Sequence, residues 1–126
     1  MPESVEQTRE GLLTIRTAEN AGGLVVLEVE GELDLSTIPK LQGAFQGQNG
    51  ATEALVDLSR VSFIDSSGIA ALVAAFRARD GAMRVVIDPG SQVARVFEVA
   101  RLGEVIPVFT DRAEALVGLG AHEAPA

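Results

Sequence analysis

From Leu24 to Glu30, Val25, Leu27 and Val29 alternate with Val26, Glu28 and Glu30. Such a period of two predicts a half-exposed strand. Leu12 to Thr17 is also strand-like, and Ala18-Glu19-Asn20-Ala21-Gly22-Gly23 between the two runs has turn composition. Ala54-Leu55-Val56-Asp57-Leu58 is short and almost wholly apolar, as expected of a strand covered on both faces. Met83 to Ile87 and Val105 to Phe109 complete the predicted strands, while Ser59 to Ile64 reads as a loop. Between these runs the period changes to that of a helix. Ile38, Leu41 and Phe45 mark one apolar side, Ile69, Leu72, Val73 and Phe76 a second, and Val93, Val96, Phe97 and Ala100 a third.

The predicted helix ends carry ordinary stop and start chemistry. Ser36 is placed to cap the first helix, with Pro39 tolerable in its first turn and Gln46 to Gly50 ending it. The second helix is expected from Ser67 to about Arg79, closed at Asp80-Gly81 by a left-handed glycine. Ser91 is expected to cap the third, which Gly103 ends, and Asp111 with Glu114 has capping-box spacing for a last helix to about Leu119. The order ββαβαβαβα predicts a single α/β domain over residues 10–119, with a mixed, mainly parallel sheet of about five strands and about four helices. Residues 1–9 read as an acidic tail and 120–126 as a frayed one.

Composition narrows the chemistry. The chain has 126 residues, enough for one domain that buries about two-thirds of its unfolded surface. There is no Trp, Tyr or Cys, so the core is aliphatic around five Phe, and disulfides, thiol catalysis and Cys-based zinc sites are excluded. The net charge of −8, with 10 basic against 18 acidic residues, disfavours the phosphate backbone of nucleic acid. An acidic surface can instead steer a basic protein partner. No apolar run approaches the ~20 residues of a membrane span, and Met1-Pro2-Glu3-Ser4-Val5-Glu6 lacks the regions of a signal peptide. A cytoplasmic location is expected.

Catalytic constellations are sparse. The single histidine, His122, lies in the terminal tail, and the single lysine is Lys40. A Ser–His–Asp triad, a nucleotide-binding Gly-rich loop with lysine and a phospho-receiver domain are all disfavoured. Asp34 and Asp65 alone would make a weak magnesium site, so neither metal nor cofactor is expected. The chain reads as a binding module and not as an enzyme.

One junction stands out. In Asp65-Ser66-Ser67-Gly68 two hydroxyls fall between a strand and a helix, where open α/β sheets usually meet ligands and partners. Unpaired backbone N–H groups of the first turn are expected beside them. Parallel strands would bring Asp34 to Thr37 and Asp88 to Ser91 to the same sheet end. The candidate contact set is thus Asp34, Ser36, Thr37, Asp65, Ser67, Gly68 and Ser91 around Ser66. A plain structural reading also fits: Ser before a helix is a normal cap, Asp34 a turn residue, and Gly68 a close-packing residue.

Two motifs together carry a more specific signal. Gly31-Glu32-Leu33-Asp34, followed by Val56-Asp57-Leu58 and Phe63-Ile64-Asp65-Ser66-Ser67-Gly68-Ile69, resembles the bacterial anti-sigma factor antagonists of the STAS domain family. The likeness continues through Gly81-Ala82-Met83-Arg84-Val85 and Leu102 to Phe109. It implies that Ser66 accepts phosphate from a serine kinase that doubles as the anti-sigma factor. It also implies that the unphosphorylated form binds that kinase and frees a sigma factor, and that a metal-dependent serine phosphatase resets the cycle. Asp34 falls where the family has an acid near the acceptor, which implies a role in partner binding. Arg101 departs from the pattern, since relatives often have a glycine or small residue there. Two other readings stay open: a STAS module of a stress-signalling or transporter assembly without a kinase cycle, and a small phosphate-handling enzyme.

Overall fold

A computed structural model describes residues 13–19, 22–47 and 52–119. Both predicted tails, His122 and the turn residues 20–21 and 48–51 lie outside the described residues. The elements are β1 (Leu13–Glu19), β2 (Leu24–Leu33), α1 (Ile38–Gln46), β3 (Glu53–Ile64), α2 (Ser66–Ala78), β4 (Met83–Val86), α3 (Gln92–Val99), β5 (Val108–Phe109) and α4 (Arg112–Ala115), with a single 3-10 turn at Leu102–Glu104. The strands form one sheet in the order β1-β2-β3-β4-β5. β1 is antiparallel to β2, and the other pairs are parallel. The expected ββαβαβαβα order and mixed sheet are therefore present.

The two sheet faces are covered unequally. Val25, Leu27 and Val29 of β2 join Val56, Leu58, Val85 and Ile87 in a core with Leu41, Leu72, Val93 and Phe97 of the three main helices. The alternate residues Leu24, Leu55 and Val86 meet Ala115 and Leu116 around the short α4. The apolar character of 54–58 follows, since helices lie over both faces of that part of β3.

β3 runs six residues beyond the expected strand, and the reason is its register. Its pairing with β2 is irregular between Glu28 and Glu30 and between Gly31 and Glu32. Leu58, Val61 and Ile64 are buried at a spacing of three, not two. A bulge lets one face be kept while the period-two pattern is lost, so Ser59–Ile64 looked like a loop. β5 is shorter than expected, because the Val105 and Ile106 N–H groups turn back to the Leu102 carbonyl, at 2.9 and 2.8 Å, at the end of the 3-10 turn. That turn begins at Arg101, which takes the left-handed conformation (φ 55°, ψ 40°), so α3 ends at Val99 and Gly103 does not terminate it. Asp80 and Gly81 both have positive φ after α2. α4 is a single turn whose cap is Asp111, accepting from the Ala113 N–H at 2.8 Å.

Candidate functional site

The parallel strands carry the β2–α1, β3–α2 and β4–α3 connections to one end of the sheet. Asp65 is the cap of α2, in extended conformation at φ −117° and ψ −173°. Its Oδ1 accepts the Ser67 N–H at 3.0 Å, the Gly68 N–H at 3.1 Å and the Ser67 hydroxyl at 2.6 Å. Helix α2 consequently starts at Ser66, one residue earlier than expected, and neither serine is its cap. The hydrogen bond from the Ser67 hydroxyl, above all, holds the Asp65 carboxyl below its ordinary range; burial opposes it, and the amides of Gly68 and Ser67 add to the lowering.

Ser66 differs from its neighbour. It is exposed, and no hydrogen bond holds its hydroxyl among the described residues. Ser67 is partly buried with its hydroxyl committed to Asp65. The amides of Ser67 and Gly68, expected to be unpaired, are already used by the same carboxylate.

Gly68 is fixed by space. A Cβ there would lie 2.7 Å from Ile64 Cγ1 and 2.9 Å from the Leu33 carbonyl oxygen. The first turn of α2 therefore rests directly on the ends of β2 and β3. The Asp65 N–H donates to the same Leu33 carbonyl at 3.1 Å, which ties the serine junction to the residue before Asp34.

The Asp34 loop is a self-contained turn. Asp34 Oδ1 accepts the Ser36 N–H at 3.0 Å and the Ser36 hydroxyl at 2.7 Å. The Asp34 N–H donates to Thr37 Oγ1 at 3.1 Å, and that hydroxyl donates to the Glu32 carbonyl at 2.8 Å. Ser36 thus folds onto Asp34, and the cap position of α1 is Thr37, which makes no side-chain cap bond. Thr37 is fully buried and Gly68 is buried too. Both build the end of the sheet from beneath, and neither offers a side chain to a partner. Asp34 is partly buried, Ser36 is exposed, and Leu35 between them is 76% exposed. Phe63, three residues before Ser66, is 41% exposed.

In the third loop Ser91 caps α3 as expected. Its Oγ accepts the Ala94 N–H at 3.1 Å while donating to the Asp88 carbonyl at 2.7 Å. Asp88 Oδ1 accepts the Gly90 N–H at 3.1 Å. The next residue, Gln92, reaches the serine junction: its Oε1 accepts the Ile64 N–H at 2.9 Å and its Nε2 donates to the Ile64 carbonyl at 3.0 Å. Sequence reading missed this residue, since a glutamine at a helix start carries no motif.

A second polar feature lies away from this end. A cavity of about 390 Å³ is lined by Arg16, Glu28, Glu30, Asp57, Arg60 and Arg112, among others. Arg112 bridges two of these carboxylates, its Nη2 2.7 Å from Glu28 and its Nε 3.4 Å from Asp57. Among the described residues no cluster of three His, Asp or Glu could hold a metal ion, and no helix is long and apolar enough to cross a membrane.

Comparison with known proteins agrees with this architecture. The family model described as "Mlab, STAS domain" matches residues 17–109, and the chain belongs to the STAS domain family. An anti-sigma-B factor antagonist of Listeria monocytogenes is 29% identical over 102 residues, covering 76% of this chain and 88% of that protein. The anti-sigma-B factor antagonist of Staphylococcus aureus is 28% identical over 86 residues, covering 65% and 80%. In fold, the chain is similar to the crystal structure of an anti-sigma factor antagonist from Mycobacterium paratuberculosis, with TM-score 0.75, 24% identity, and coverage of 85% and 93%. It is also similar to the unphosphorylated form of the anti-sigma factor antagonist SpoIIAA, with TM-score 0.66, 20% identity, and coverage of 82% and 94%.

Proposed function

We propose that this protein is an anti-sigma factor antagonist whose binding surface is the three-loop end of the sheet and whose switch is phosphorylation of Ser66. The observation that carries the reading is the contrast between two adjacent hydroxyls. Ser66 is exposed and unbonded on a rigid helix start, whereas Ser67 is held by Asp65. An approaching kinase meets Ser66. Its Oγ attacks the γ-phosphorus of ATP, the bond to the β-phosphate oxygen breaks, ADP leaves, and the hydroxyl proton passes to a base of the kinase. ATP and its magnesium belong to that partner, so this chain is a substrate and a ligand in the cycle and not its catalyst.

Charge explains the switching. Phosphate adds roughly −1.5 to −2 charges. The positive end of α2 offsets part of this, by roughly 1 kcal/mol, but two first-turn amides are already engaged by Asp65. The added charge therefore stands next to a carboxylate held in its ionised form. A partner surface that tolerates Asp34 and Asp65 then faces a dianion as well, and the complex weakens without refolding of the domain. A serine phosphatase in the cytoplasm restores the binding form.

The test is direct. The protein is incubated with its anti-sigma kinase and MgATP, and the phosphate is mapped by mass spectrometry. One phosphate on Ser66, absent in Ser66→Ala, supports the reading. Phosphate on Ser67, or tight kinase binding with no transfer at all, overturns the acceptor assignment; the second result favours a STAS module without a kinase cycle.

A further inference from the structure

The ends of β3 and β4 do not coincide. β4 pairs with β3 only from Ala54 to Asp57, whereas β3 continues to Ile64. A strand residue directs its N–H and carbonyl to the same side, and neighbouring residues alternate. On the β2 side the junction is held by the Asp65 N–H on Leu33. On the β4 side Ile64 has no strand beside it, and an unpaired backbone pair at that depth is costly.

Gln92 fills that place. Its carboxamide meets the Ile64 N–H at 2.9 Å and the Ile64 carbonyl at 3.0 Å, as a single peptide group of another strand would. Few side chains can do this, because one acceptor and one donor must sit side by side on a neutral planar group. The backbone that carries Gln92 is itself fixed at the start of α3 by the Ser91 cap and the Asp88–Ser91 turn.

We infer that Gln92 is a positioning residue for the Ser66 switch: its paired hydrogen bonds to Ile64 fix the exit of β3 and so the presentation of the Ser66 hydroxyl two residues later. The inference rests on the phosphoacceptor reading of Ser66. It also gives the third loop a purpose, since the β4–α3 turn acts on the acceptor through Gln92 without touching it.

Gln92→Leu keeps much of the size and removes both bonds. Gln92→Glu keeps an acceptor for the Ile64 N–H but turns a carboxylate oxygen toward the Ile64 carbonyl. Each variant is compared with the wild type, at a temperature where far-ultraviolet circular dichroism shows both folded. The readouts are the single-turnover rate of Ser66 phosphorylation at saturating kinase, the Kd for the kinase without ATP, and hydrogen exchange of the Ile64 amide. The expected result is a rate at least roughly tenfold lower in both variants, within the range that misplacing a reacting group produces, with Kd little changed. The Ile64 amide should lose protection in Gln92→Leu. A purely structural glutamine would lower the melting temperature and leave the rate of the folded protein alone. If Gln92→Leu does not fold, the rate of Gln92→Glu decides. Wild-type rates in a folded variant, or an Ile64 amide still protected in Gln92→Leu, overturn the positioning role while leaving Ser66 as acceptor. Absence of phosphate on Ser66 in the wild type instead overturns the acceptor reading, and this role falls with it.

Discussion

The Ser67 hydroxyl donates to Asp65 Oδ1 at 2.6 Å, and this bond separates the roles of two adjacent serines. Asp65 caps α2 with one oxygen, the Ser67 hydroxyl lowers its pKa, and Ser66 is left exposed. Ser66→Ala should therefore cost almost no stability and abolish phosphorylation. Ser67→Ala should cost about 1.5–3 kcal/mol, as loss of a hydrogen bond to a charged group does, and still accept phosphate. Urea denaturation together with phosphate mapping separates the two.

Acid should expose the same pair. The Asp65 carboxyl titrates below its ordinary value of 3.8 in the folded protein. A depressed carboxyl contributes stability that is complete above its unfolded value and is lost as pH falls through the folded one. Wild type should thus lose this increment below pH 3.8, whereas Asp65→Asn lacks it at every pH. The difference in unfolding free energy between the two proteins, measured in urea from neutral to acid pH, should shrink below that point. A constant difference would contradict the carboxylate's role in the cap.

Gly68→Ala tests the close approach beneath Ser66. The added methyl would meet Ile64 and the Leu33 carbonyl at distances that require backbone movement. A loss of about 1–3 kcal/mol is expected, typical of overpacking, with amide shift changes at Leu33, Ile64 and Ser66. A variant as stable as wild type would show that α2 is not seated as described.

Asp34 and Leu35 test the surface. Asn at position 34 can still accept from Ser36, so Asp34→Asn should leave the melting temperature nearly unchanged, and Leu35→Ser removes an exposed side chain. Both should weaken binding to the kinase, Leu35→Ser by about 1 kcal/mol or more if it is a buried contact in the complex. Normal affinity measured by calorimetry would remove this loop from the interface.

Arg101 occupies left-handed backbone, and its bond to Glu104 spans 3.6 Å between exposed side chains. Exposed pairs contribute little. Arg101→Gly should therefore stabilise the protein, by roughly 1 kcal/mol, because a left-handed residue with a Cβ carries that strain.

Alternation in β2, the helical stripes and the turn residues depend on contacts a few residues apart. The element order, the mixed sheet, the Ser91 cap and the Ser66 junction were accordingly legible in the chain alone. The twin motifs around Asp34 and Ser66 also carry the signature of the STAS domain family. What was illegible depended on pairing between distant segments. The bulged register with β2 turned Ser59–Ile64 from an apparent loop into strand, and contacts with Glu32 drew Thr37 inside while Ser36 stayed out. Which serine is free was decided by a carboxylate, Asp65, that caps the helix ahead of both hydroxyls. Gln92 is the clearest case. Nothing near it in sequence marks it, and its partner, Ile64, becomes a neighbour only because β4 stops short of the end of β3, leaving a peptide group that must find its hydrogen bonds elsewhere.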